Sequence, residues 1–237
     1  AVDGNGSYSF IPGAALADAS YSVTATATDG AGNTSAASSG VTVFVDTAAP
    51  TAPTLSGTSP ANTSTPQLTG TAEANATVNV YDGDTSLGQA SAGGDGTYTV
   101  TVSALSDGSH SLTAKATDDA GNPSLAGAAF TILIDTATPA APTITGTSPT
   151  NDATPSLSGT AEAGATVTVY DGGISLGETS AGAGGAYTFV TGTLSEGEHT
   201  ITATATDSAD NTSPASSTLS LTVDLTEPAI THTGTCL

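Results

Sequence analysis

Apolar and polar residues alternate with a period of two through most of this chain. Val78 and Val80 flank Asn79, threonines separate Tyr98, Val100 and Val102, and Leu112, Ala114 and Ala116 share a parity that leaves Lys115 on the other side. Residues two apart lie on one face of a strand, so each run predicts a strand with one buried face. No window places apolar residues at i, i+3, i+4 and i+7, the spacing of an amphipathic helix. Turn-forming residues bound the runs at Asp82-Gly83-Asp84, Gly93 to Gly96 and Asp118 to Asn122. The strands expected in this stretch are 53–57 with Leu55 inward, 67–71 with Leu68 inward, 77–81, a short one around Leu87, one from Tyr98, 110–117, and a last one with Phe130, Ile132 and Ile134 inward.

The pattern then returns with Leu157, Val167, Val169, Tyr187, Phe189, Ile201, Ala203, Leu219, Leu221 and Val223 as the inward set. Val45 to Pro50 reappears as Ile134 to Pro139 and, altered, as Val223 to Pro228, and the aspartates obey 135 − 46 = 224 − 135 = 89. A fixed period of this length marks joints between copies of one folded unit. Seven short strands per period, each with one apolar face, predict an all-β chain of tandem immunoglobulin-like seven-strand β-sandwiches arranged end to end. The expected modules are 1–46, the C-terminal half of one copy; 47–135 and 136–224, two complete copies; and 225–237, the first strand of another. Residues 1–46 supply only three strands, at 8–11, 21–28 and 41–45, and would leave an apolar face open. The expectation is a segment of a longer array.

Composition narrows the partners. Twenty-two acidic residues against one Lys and no Arg give a formal charge of −21, which rules out phosphate binding and therefore nucleic acid. The same repulsion opposes an anionic membrane surface, and no run of 18 apolar residues exists to insert into a bilayer. The single cysteine, Cys236, permits no intrachain disulfide and reads as an accident of position.

Catalytic candidates fail on geometry. His110 stands beside Ser109 and near Asp107, and His199 near Glu196, but neighbours on a strand face opposite ways, and a nucleophile must lie in hydrogen-bond reach of its base. Gly93-Gly94 and Gly184-Gly185 precede no helix and read as hairpin turns. Threonines spaced two apart at 24–28 and 202–206 suit a solvated sheet face better than an ice-binding one.

The acidic residues are more informative. In an antiparallel seven-strand sandwich the loop after the second strand and the loop before the last lie at the pole where the chain enters. Asp46, Glu73, Asp118 and Asp119 therefore gather at one joint, and Asp135, Glu162, Asp207 and Asp210 at the next. Two readings stay open on spacing alone: ordinary turns in which Asp and Asn bond their own backbone, or a hard cation that takes six to eight oxygen ligands.

Val-Asp-Thr-Ala-Ala-Pro at the joint, Leu-Thr-Gly-Thr-Ala-Glu at 68–73, Val-Tyr-Asp-Gly at 80–83 and Ala-Thr-Asp-Asp-Ala-Gly-Asn at 116–122 together resemble the bacterial immunoglobulin-like repeats of giant surface adhesins and biofilm-associated proteins. The resemblance covers essentially the whole chain and departs from the pattern at Leu225 and Glu227. It implies an extracellular or cell-surface, non-enzymatic spacer whose partners are its own neighbouring modules, with calcium at the joints and a host or cell-surface ligand bound by regions beyond this chain. The alternatives are a carbohydrate- or host-ligand-binding module and an accessory region of a secreted enzyme. A glycan site ordinarily shows exposed aromatics, and Trp is absent.

Overall fold

Short alternating Thr and Val runs stiffen the backbone in the extended region, because β-branched side chains restrict χ1 and pack well on a pleated surface. In the computed structural model, which describes residues 5–229, they form fourteen β-strands and no helix. Cys236 and most of the strand expected at 225–237 lie outside the described residues.

Six strands follow the first joint: β3 (Gln67–Thr71), β4 (Thr77–Asp82), β5 (Thr85–Ser91), β6 (Thr97–Thr101), β7 (Gly108–Thr117) and β8 (Phe130–Ile134). β3 pairs antiparallel with β6, and the second sheet runs β5-β4-β7-β8. Six equivalents follow the second joint: β9 (Ser156–Thr160), β10 (Thr166–Asp171), β11 (Ile174–Ser180), β12 (Ala186–Val190), β13 (Gly197–Thr206) and β14 (Leu219–Val223). Their sheets are β9-β12 and β11-β10-β13-β14. The alternation lands as the sequence requires: Leu68, Val78, Val80, Leu112, Ala114 and Ile132 are fully buried, as are Leu157, Val167, Val169, Ile201, Ala203 and Leu221. In the second set these residues form one cluster, closed by Tyr187 and Phe189.

The seventh strand differs from expectation. Residues 53–57 make no continuous strand: Thr54 and Ser56 bond to Thr71 and Thr69, and five residues later Ala61 donates to the Leu133 carbonyl in a parallel bridge beside β8. The segment divides its backbone between two sheets, and Pro53 and Pro60, which lack an N–H, interrupt a continuous ladder. Leu55 is half-buried there. Thr143, Thr145 and Thr150 repeat the arrangement.

Before the first joint only β1 (Ala19–Val23) and β2 (Val41–Val45) form, paired antiparallel. The strand expected at 8–11 is absent, and the one expected at 21–28 stops at Val23, with a bridge at Thr28. The equivalents of 8–11 are β6 and β12, and each is held by a partner, β3 or β9, that has no counterpart among residues 5–45. Phe10, Ile11 and Val41 remain exposed.

By internal contacts the chain divides into two units. One comprises the chain up to Gly57 with Gln67–Ser103 and Ser111–Phe130; the other comprises Thr58–Pro66, Ala104–His110 and the chain from Thr131.

Candidate functional site

The first two joints each begin with an Asp-Thr pair, and short polar loops hold it. In the first, Asp46 Oδ1 accepts the Ala48 N–H at 3.0 Å, a local turn that redirects the chain before Pro50. The loop Asp118 to Asn122 is a compact knot. Asp118 Oδ1 accepts the Asn122 N–H at 2.8 Å, Asp118 Oδ2 accepts Asn122 Nδ2–H at 2.9 Å, and Gly121, at φ 92°, closes the turn. The Asn122 amide then reaches across 76 residues and donates to the Asp46 carbonyl at 3.0 Å. From the other side, Asp18 Oδ1 accepts both the backbone N–H and the hydroxyl of Thr47, at 3.0 and 2.9 Å.

The second joint repeats every contact. Asp207 accepts the Asn211 N–H and Nδ2–H, and the same amide donates to the Asp135 carbonyl at 2.8 Å. Asp107 accepts the Thr136 N–H and hydroxyl at 3.1 and 2.9 Å. Asp29 and Asn33 form the same loop in the first copy.

These bonds set the charge state. The Asn122 side chain above all holds the Asp118 carboxyl below the usual range; desolvation, next in size, opposes it, and the N–H groups of Asn122, Ala120 and Gly121 add to the lowering. Asp29 is lowered in the same way by Asn33. For Asp207, burial pushes the pKa up, and the Asn211 amide, the Asn211 N–H and the Ala209 N–H together outweigh it, so the net direction is down. The carboxylates at the centre of each loop are therefore ionised at neutral pH.

Of the residues named from sequence, Asp46, Glu73, Asp118 and Asp119 line one cleft of about 510 Å³ with Phe44, Ala74 and Ala120. At the second joint Asp135 and Asp207 meet through Asn211. Glu162 instead lines a separate depression with Ala140, Ala141, Thr160 and Ala161. Asp210 occupies the left-handed position of its loop, at φ 67°, where Gly121 sits in the other copy. Among the described residues no group of three or more His, Cys, Asp or Glu side chains is arranged to hold a metal ion. Hard oxygen donors are what calcium requires, and the first cleft supplies four carboxylates on its walls.

The joint-holding roles of Asn122, Asn211, Asp18 and Asp107 escaped the sequence reading. The signal was present: Asp18 and Asp107 stand 89 residues apart, as do Asn122 and Asn211.

The paired sheets and the repeating joints define a class of protein, tandem all-β immunoglobulin-like sandwiches. The chain belongs to the bacterial Ig-like domain family, which matches at residues 1–47, 52–136 and 138–225. Among solved structures, the fibronectin(III)-like modules of CbhA from Clostridium thermocellum align at 19% identity over 76% of this chain and 100% of theirs, with a TM-score of 0.48. The BSP domain of a biofilm-associated protein aligns at 22% identity over 73% of this chain and 30% of its own, TM-score 0.32. A tetra-tandem repeat from the extending region of a large adhesion protein aligns at 28% identity over 87% of this chain and 57% of its own, TM-score 0.34. This chain thus spans less than two thirds of the last two structures. No curated protein matches it. Among the described residues no helix is long and apolar enough to cross a membrane.

Proposed function

We propose that this chain is a non-enzymatic spacer of a bacterial cell-surface adhesin, built from modules 1–46, 47–135, 136–224 and the start of another at 225, with calcium stiffening the joints. The observation that carries the reading is the repetition, at one period, of both the sandwich and the contacts that hold each Asp-Thr joint from two sides. A chain whose repeated contacts lie at its joints, with outward faces of Thr, Ser and Gly, suits a part that spans distance. Its extracellular or cell-surface placement and its role in adhesion or biofilm formation belong to the same proposal. The adhesion-related structures it aligns with are in keeping with it.

Asp46, Glu73, Asp118 and Asp119 would hold the ion at the first joint, and Asp135, Asp207 and Asp210 at the second, where Glu162 would have to turn out of its own depression to join them. Calcium supplies no chemistry here beyond charge neutralisation, and it would link linker and loops as the asparagine bonds already do. An ion supplied at ten-thousand-fold its dissociation constant would stabilise the folded joint by roughly 5 kcal/mol. Small-angle scattering on residues 47–224, with calcium and with chelator, tests this beside Asp135→Ala. The expected result is a maximum dimension that falls or broadens on chelation, with the variant resembling the chelated chain. If scattering and melting temperature ignore calcium, the asparagine bonds and prolines alone hold the joint.

A further inference from the structure

His199 lies at the start of β13, buried, with both ring nitrogens against acceptors. Nδ1 is 2.6 Å from Asp171 Oδ2, and Nε2 is 2.9 Å from the Ser195 carbonyl oxygen. A carboxylate and a carbonyl only accept, and a neutral imidazole carries one N–H. Serving both contacts requires the doubly protonated ring. Asp171 is itself fixed: its Oδ1 accepts the Thr200 N–H at 3.0 Å, and it closes the Gly172-Gly173 turn between β10 and β11.

The position repeats. His110 Nε2 is 2.9 Å from the Ser106 carbonyl, and Asp82 stands one period before Asp171. The first copy carries Tyr21 there, and its hydroxyl donates to the Ala17 carbonyl at 3.0 Å. All three copies thus send a side-chain donor to the carbonyl four residues back, and only the histidine copies do so with a group that ordinarily titrates near neutral pH.

We propose that His199 acts as an imidazolium clamp joining the β10–β11 turn to the connection before β13, and that rising pH opens it. Losing one proton leaves a lone pair facing either the carboxylate or the carbonyl, so one of the two segments is released. The charged surroundings are few. Asp171 faces the ring from β10; Glu196 and Glu198 flank it on its own segment, with Glu196 accepting the Thr226 hydroxyl. Leu221 stands opposite on β14, which carries no titratable residue; Asp224 follows it, and on β11 Glu178 lies four residues beyond Ile174. The Ser195 carbonyl first, then Asp171, raise the His199 pKa above its ordinary 6.5 against a smaller desolvation cost. A pKa raised by folding contributes stability that is complete below the unfolded value and is lost as pH climbs through the folded one.

The test is nitrogen NMR of the imidazoles in the full 237-residue chain, with thermal melting across pH. At pH 6.5 both His199 nitrogens should be protonated, the midpoint should lie above 6.5, and Asp171→Asn should lower it by about one unit or more. The alkaline fall in melting temperature should shrink in His199→Tyr, which copies Tyr21, and vanish when His110→Tyr is added. A His199 ring with a single N–H at pH 6.5, a midpoint unmoved in Asp171→Asn, or an undiminished alkaline slope in the double tyrosine chain would each overturn the proposal. If Asp171→Asn does not fold, the tyrosine chains still decide it.

Discussion

Gly159 shows how tightly single positions are specified. A Cβ there would stand 2.0 Å from the Thr143 carbonyl oxygen and 2.7 Å from the Tyr187 hydroxyl. That hydroxyl already donates to the same carbonyl at 2.6 Å, so the strand, the tyrosine and the split first segment close on a space with no room for a methyl. Tyr98 and Gly70 repeat the arrangement with Thr54, and burial pushes the Tyr98 pKa up to about 12. Gly184 meets nothing within 4 Å. Gly159→Ala should therefore destabilise its module by about 2–3 kcal/mol, and Gly184→Ala should stay within about 0.5 kcal/mol of the parent. Urea unfolding of the two variants checks the contrast, and equal midpoints would refute it.

At the scale of elements, period-two alternation located most strands of the two later copies because each has a partner sheet that rewards burying one parity. Leu157, Val167 and Val169 were legible for that reason. The alternation could not show that the segment 53–61 would split between sheets, because a backbone ladder interrupted by proline leaves the side-chain pattern intact. Nor could it show that 8–11 would form no strand, since a strand needs a neighbour and the neighbour is not encoded in its own residues. The acidic loops were legible as turns, and at the first joint four of their carboxylates line one cleft. Their asparagine amides were not, because the bond from Asn122 to a carbonyl 76 residues earlier has no local signature.

The faces of β1 and β2 follow from the same comparison. Val23 is 46% exposed and Val43 41%, whereas the residues one period on, Leu112 and Ile132, are fully buried. Apolar surface of this kind attracts any apolar solute. The full chain should bind an environment-sensitive apolar dye, and Val41→Thr with Val43→Thr should remove most of the signal without changing the melting of the later copies. Dye binding unaltered in that variant would place the apolar surface elsewhere.

For the whole molecule, the asparagine bonds carry a consequence for how such a chain changes over generations. The separation from Asn122 to Asp46 equals that from Asn211 to Asp135, 76 residues in each case. Excising residues 47–135 would leave Asn211 at that same distance from Asp46, and Thr136 would follow Asp46 where Thr47 does now, with Asp18 still 28 positions behind Asp46. Every donor would find an equivalent acceptor. A chain shortened in this way should melt at the temperature of the parent, and a midpoint several degrees lower would show that the copies are not interchangeable. If they are, unequal recombination between copies can lengthen or shorten the gene by whole periods at no cost to folding, and copy number becomes a trait that selection can tune as freely as a point substitution.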